Sequence, residues 1–275
     1  MLKKISDEAI KLSASDSKIA LIAVSDNEGY PHITMISTLM AKDESHVMFG
    51  QFCEGLSKKF IRQRPKTGFL LMSVDKELWR GRAVFTGTAN TGPEFEIFNN
   101  KPLFRYNTYF GIGQVYYLDL VDISEKEKLD MGATVINAVL TRIKKGAVKG
   151  GSKGALNHIS HGLTDGLSTL KFIAAEDGDG FCTITPIIQA SSSTDGRIVF
   201  TQRPYENELK AIKRGQKAAI FAMNLSLECV LAKGVYRGVQ KGLCMMDIEK
   251  VYNPLMPLPG YIYPKEPIKT VTEFI

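Results

Sequence analysis

Apolar residues in this chain come in short runs, and the runs recur in a fixed order. Ile19 to Ser25 is almost wholly apolar, Asp26 to Gly29 is polar, and His32 to Met40 alternates. An apolar run, an Asp/Gly turn and an alternating run predict two strands joined by a tight turn. A third strand follows at His46 to Gly50 and a short basic helix at Gly55 to Gln63. Two more strands follow at Thr67 to Val74 and Arg82 to Ala89. The same order then returns: strands at Leu170–Ala175, Thr183–Ala190 and Arg197–Thr201, a helix at Glu206–Arg214, and strands at Lys217–Leu225 and Cys229–Val235.

The two series keep one register. At an offset of 151, Asp26 meets Asp177, Gly29 meets Gly180, Ile33-Thr34 meets Ile184-Thr185, and Val47-Met48-Phe49 meets Ile198-Val199-Phe200. Gln51 meets Gln202, Lys59 meets Lys210, and Met72 meets Met223. Beyond Met72, Thr86-Gly87 aligns with Lys233-Gly234 at an offset of 147, which predicts a longer loop in the first copy. A repeat of this length means two copies of one domain rather than a solenoid. Short strands at regular spacing, with one helix crossing between the third and fourth, predict a mainly β fold with helices, an antiparallel barrel or sandwich in each copy. The domains are drawn as 1–124 and 167–275. Segment 125–166 between them is read as a connecting helix, with Leu129, Ala133, Ile136, Val139, Leu140 and Ile143 at helical spacing, and then a Gly-rich linker.

Composition narrows the function. A length of 275 residues accommodates two ordinary domains. Hydrophobic content of 44% and charged content of 23% are those of a globular protein, and no apolar run approaches the ~18 residues of a membrane span. The N-terminal MLKKISDEAIKLSAS reads as an amphipathic helix with acids inside it, not a signal peptide. Cys53, Cys182, Cys229 and Cys244 lack CxxC spacing and are expected as reduced thiols, so the cytoplasm is expected. The net charge of +6 is scattered, without a nucleic-acid motif, and suits a phosphate-bearing small ligand. Neither a nucleic acid nor a membrane is expected as a partner. His158 and His161 form H-x-x-H without an accompanying acid or thiol cluster, so no metal is assigned.

The stretches SDNEGYPHITMIS, VMFGQFCEGLSKKFIRQRPKTGFLLMS and LWRGRAVFTGTA, in this order and spacing, resemble the pyridoxamine 5′-phosphate oxidase-like family of FMN-binding split barrels. The likeness is best over residues 17 to 90 and looser in the second copy. It implies tandem split barrels and an FMN-dependent oxidoreductase that passes hydride or electrons between flavin and a small molecule or nicotinamide. A non-enzymatic flavin or haem binder, or a redox sensor, is the alternative. Family members are commonly homodimers with flavin at the interface, so the chain resembles such a pair fused into a pseudo-dimer, with further homodimerisation left open.

On that reading Ser57, Lys58 and Lys59 after Gly55 supply a hydroxyl, ammonium groups and a helix start for the FMN phosphate. Arg80 and Arg82 are expected to reach the same pocket from their strand. Thr34, Met35, Ile36 and Ser37 border the ring, and Gly50 and Gln51 end a strand near its pyrimidine edge. Trp79 stacks near the ring or caps the barrel. His32 hydrogen-bonds backbone at the barrel mouth or acts near the flavin, with an acid role as the further option. The aromatic stretch Phe104 to Gly113 is a core plug or a wall over the flavin. The second copy has Cys182-Thr183 for Pro31-His32 and Glu208-Leu209 for Ser57-Lys58, so it is expected to have lost its site.

Overall fold

The fold was derived from a computed structural model, which describes residues 1–101, 111–255 and 259–267. The first repeat opens with helix α1 (Asp7–Ala14), capped by the Ser6 hydroxyl accepting from Ala9 N, with Asp7 and Glu8 in its first turn. Strands β1 (Lys18–Ser25), β2 (Pro31–Met35), β3 (Met40–Ala41) and β4 (His46–Gln51) follow, then α2 (Leu56–Gln63), β5 (Lys66–Ser73) and β6 (Glu77–Ala89). Helix α3 (Pro93–Asn99), β7 (Gln114–Ile123) and β8 (Glu127–Lys128) complete this repeat.

The strand order is β2-β1-β5-β6-β7-β4-β3, with β8 added beside β6. The two ends of that order, β2 and β3, are separated only by Ile36–Leu39, so the sheet curls back on itself. Thr38 pins the closure by donating to the Gly50 carbonyl at 2.7 Å. The alternating run expected as one strand over 32–40 is therefore broken in the middle, because a continuous strand cannot join the two edges. Ile22, Val24, Phe49, Phe69, Leu71, Trp79 and Tyr116 fill the interior, and Ser13 of α1 accepts from Ala41 N at 2.9 Å to hold that helix against the barrel.

The second repeat follows helix α4 (Met131–Lys144). It comprises α5 (His158–Asp165), β9 (Leu170–Glu176), β10 (Cys182–Pro186), β11 (Ser191–Thr194), β12 (Arg197–Phe200), α6 (Glu206–Ala211), β13 (Lys217–Met223), β14 (Cys229–Gln240), β15 (Leu243–Asn253) and β16 (Gly260–Tyr263). Its order, β10-β9-β13-β14-β15-β12-β11, with β16 beside β15, reproduces the first. The chain is thus two tandem antiparallel split barrels.

The register is stricter than the residues suggest. Lys66 pairs with Val84 and Lys217 with Val235, so the offset of 151 continues through β6 and β14, and the shift to 147 is overturned. Both strands carry irregularities at matching places, Phe85/Gly87 and Tyr236/Gly238. The register also extends backward: α5 occupies the positions of α1, and Asn157 caps it as Ser6 caps α1. The real length difference lies later. β6 and β7 are joined by residues 90–113, whereas β14 and β15 are joined by Lys241-Gly242, both at positive φ (53° and 79°) in a two-residue turn.

Compact units do not follow repeat boundaries. One unit holds 1–27, 34–129 and 178–183, and the other 28–33, 130–177 and 184–275, so each contains the hairpin turn of the other repeat. Residues 130–177 group with the second unit, where Lys145 of the turn after α4 bonds Asp165 (2.8 Å) and Ser191 (3.0 Å). Among the described residues no helix is long and apolar enough to cross a membrane.

Candidate functional site

Strand β4 ends at Gly50-Gln51, and four residues later α2 begins, so the barrel delivers a helix N-terminus beside a strand end. The cap is Gly55 in extended conformation, no side chain caps the helix, and its first turn has no acid. A helix start in this state is a concentration of partial positive charge. Lys58 adds a full charge to it. Its residue is only 9% exposed, and its Nζ folds back over the cap, 3.8 Å from where a Cβ on Gly55 would lie.

Burial lowers the Lys58 pKa, opposed by the nearby Cys53 and Glu54. Among the described residues no carboxylate forms an ion pair with Lys58. Glu54 is turned elsewhere: it accepts from Gln51 Nε2 at 2.7 Å and lies 4.0 Å from Arg62. The other amide atom of Gln51, Oε1, is buried and unpartnered, as is Thr34 Oγ1 on β2. Ser57, beside Lys58, is buried, while Lys59 points to solvent.

The other expected residues fall elsewhere. Met35 is half-buried and Ser37 exposed in the closing turn, while Ile36 and Trp79 belong to the barrel core. Trp79 is therefore a packing residue; it pairs across the sheet with Leu71. Arg80 donates from Nε and Nη2 to Glu127 at 3.0 and 2.9 Å, and Arg82 likewise grips Asp122 at 3.0 and 2.6 Å and also meets Asp179 at 3.0 Å. Both guanidiniums are held by carboxylates in bidentate geometry. Arg82 pairs with Asp122 of β7 and Gln51 with Gln114 of the same strand, eight residues or about 26 Å apart at the usual rise. The arginines are thus not brought to the helix start, which corrects the sequence-based expectation. His32 is buried and meets the edge of Tyr252, with ring centroids 5.1 Å apart.

Spacing alone did not show that the segment joining β6 and β7 comes to the same place. Phe98 of α3 and Ile112 pack with Met48 and Val115, and Ile112 is so close to Gly50 that a Cβ there would lie 2.7 Å from it. Gly113 N donates to the Gln51 carbonyl at 2.8 Å. Of the aromatic stretch Phe104 to Gly113, residues 104–110 lie outside the described residues. The signal available in sequence was the extra length of this connection relative to Lys241-Gly242.

A phosphate-bearing flavin fits these groups at its anionic end. A buried ammonium and an uncapped helix start stand together, with no carboxylate in an ion pair with Lys58 among the described residues, and Gln51 at the end of β4 and Thr34 on β2 offer orphaned polar atoms. The second repeat keeps Gln202 and Thr185 and an uncapped helix, but it changes the charge at the helix start. Leu209, fully buried, takes the position of Lys58, and the six-residue α6 has Glu206 and Glu208 in its first turn.

No protein-family model and no curated protein matches this chain. Solved structures similar to parts of it include HupZ of Group A Streptococcus (16% identity, 43% of this chain and 91% of that one, TM-score 0.37). An FMN-binding protein from Syntrophomonas wolfei is similar at 16% identity over 44% of this chain and 83% of that one, with a TM-score of 0.36. General Stress Protein 26 from Bacillus anthracis is similar at 14% identity over 44% of this chain and 97% of that one, with a TM-score of 0.34.

Proposed function

We propose that the first repeat binds FMN, with the phosphate at the start of α2, and that the chain is a flavin-dependent oxidoreductase. One observation carries the reading: Lys58 is buried against an uncapped helix start and, among the described residues, no carboxylate pairs with it, while its counterpart in the second repeat is Leu209. Keeping a charge out of water without a partner is costly, and a phosphate dianion at the cap relieves that cost. Lys58 and the backbone N–H groups of the first turn of α2 would hold the phosphate. Gln51 and Thr34 would meet the polar edge of the ring. Bound there, FMN supplies hydride or electron transfer to a small molecule or nicotinamide.

One ammonium and one helix start suit a single phosphate monoester, which favours FMN over larger flavin nucleotides. One flavin per chain is the expected stoichiometry. The four cysteines form no disulfide, which supports a reducing compartment and hence the cytoplasm. The test is to purify the chain, denature it and identify the released chromophore by mass, then measure turnover with reduced nicotinamide and a panel of acceptors. One FMN per chain with turnover supports the reading. A chain that neither carries nor takes up flavin refutes it.

A further inference from the structure

Helix α4 is inverted relative to what its sequence predicts. Its apolar residues recur at helical spacing, which ordinarily marks the face that packs on a core. Yet the residues it buries are Thr134, Ala138 and Thr141. The apolar stripe faces outward: Met131 is 39% exposed, Val135 58%, Ile136 62%, Val139 50%, Leu140 39% and Ile143 74%. On the inner face Thr134 donates to the Asp130 carbonyl of its own helix at 2.6 Å and Thr141 Oγ1 is buried without a partner, while Arg142 donates to the Asp165 carbonyl at the end of α5. The Arg142 hydrogen bond and packing therefore hold the orientation. Leu167, two residues beyond Asp165, is 69% exposed.

We infer that this face is a homodimer interface, in which α4 packs antiparallel against α4 of a second copy. The stripe exposes on the order of 500 Å² of mostly apolar surface, at the upper end of what monomers leave bare. Two such faces together remove about 1,000 Å², the level at which specific interfaces begin. The stripe is also complementary to itself about a two-fold axis at the helix centre. Ile136 then lies over the partner's Val139, and Val135 over the partner's Leu140. Ile143, the most exposed of the set, lies over the partner's Gly132, the exposed position with no side chain. Near the ends, antiparallel pairing brings Asp130, the N-cap, within one position of the partner's Lys144, which lies level with Met131 at the edge of the stripe. A second copy fits this pattern better than a nucleic acid or an acidic protein, because no charged residue among the exposed positions interrupts the stripe from Met131 to Ile143. The interface does not depend on flavin.

The test is sedimentation equilibrium of the full chain from sub-micromolar to about 100 µM, a range that covers weak dimers. The expected species is a dimer of twice the 30.4 kDa chain mass. Val139→Glu should raise the dissociation constant at least 100-fold while circular dichroism and the thermal midpoint stay as in the wild type, since the side chain is exposed. Gly132→Leu should raise it at least 10-fold by filling the gap opposite Ile143, and Lys144→Glu should weaken pairing most at low salt. A wild-type monomer at about 100 µM, a dimer unaffected by Val139→Glu, or a monomer that instead sediments with phosphatidylglycerol vesicles through this helix would each overturn the inference.

Discussion

Replacing Lys58 by Leu separates folding from binding, because the two effects have opposite signs. Leucine is what the second repeat carries at this position, fully buried, so the shape is compatible with the barrel. Without ligand, the wild type holds an ammonium that is 9% exposed, with no carboxylate in an ion pair with it among the described residues, and burial lowers its pKa. A lysine with a lowered folded pKa is a net cost wherever it is charged in both states. That cost falls as pH rises through the folded value toward the ordinary value of 10.5. Lys58→Leu removes it, so the apo variant should unfold at a higher temperature at neutral pH and lose that part of the pH dependence. Binding goes the other way. A hydrogen bond to a charged group contributes about 1.5–3 kcal/mol, so FMN affinity should fall roughly 10- to 150-fold. The assay is titration of FMN and of riboflavin, which has no phosphate, followed by flavin fluorescence, beside thermal unfolding of both apo proteins. Riboflavin affinity should change less than about 3-fold, since Lys58 then faces no anion. Equal losses for the two flavins, or unchanged FMN affinity, would refute the assignment of Lys58 to the phosphate.

Lys171 is fully buried, and desolvation, aided by Arg142, pushes its pKa down to about 7 although its Nζ donates to the carbonyls of Gly166 (2.6 Å) and Ile188 (3.2 Å). The unfolded chain therefore binds more protons between about pH 7 and 10.5, and stability should rise by up to about 1.4 kcal/mol per pH unit above 7. Urea unfolding at pH 7 and 9 should show this slope in the wild type and not in Lys171→Met. Arg82→Ala strands the buried carboxylate of Asp122, so it should destabilise the first unit by about 3–5 kcal/mol, read by thermal unfolding. Because the β7 partners of Arg82 and Gln51, Asp122 and Gln114, stand eight residues apart, FMN affinity of the folded fraction should not change; a loss specific to FMN over riboflavin would return the arginine to the phosphate site. Leu209→Lys should cost more than about 2 kcal/mol by unfolding without creating a second flavin site, because Glu206 and Glu208 open α6. A flavin stoichiometry of two per chain for that variant would contradict the one-site reading.

Local sequence determined the repeat and most of its strands, because apolar periodicity, Asp/Gly turns and strand lengths are properties of neighbouring residues. It also marked Gly55 to Lys59 as a helix start carrying lysines, since such a start announces itself over five positions. It placed Arg80 and Arg82 wrongly and left Trp79 between two roles, because which end of a barrel a residue occupies depends on cross-strand register. Only the pairing of β6 with β7 and β8 showed the arginines gripping Asp122 and Glu127, far from Gln51. The offset of 147 failed for a similar reason: glycines matched by identity, whereas hydrogen-bond register keeps 151. Asn157 and Ser6 differ in identity and share a task, so matching letters alone did not align the caps of α1 and α5. The apolar stripe of α4 was legible as a stripe, but its direction was not. Periodicity defines a face without saying what covers it, and here the Arg142 hydrogen bond to the Asp165 carbonyl, together with the buried Thr134, Ala138 and Thr141, turns the apolar side to the outside.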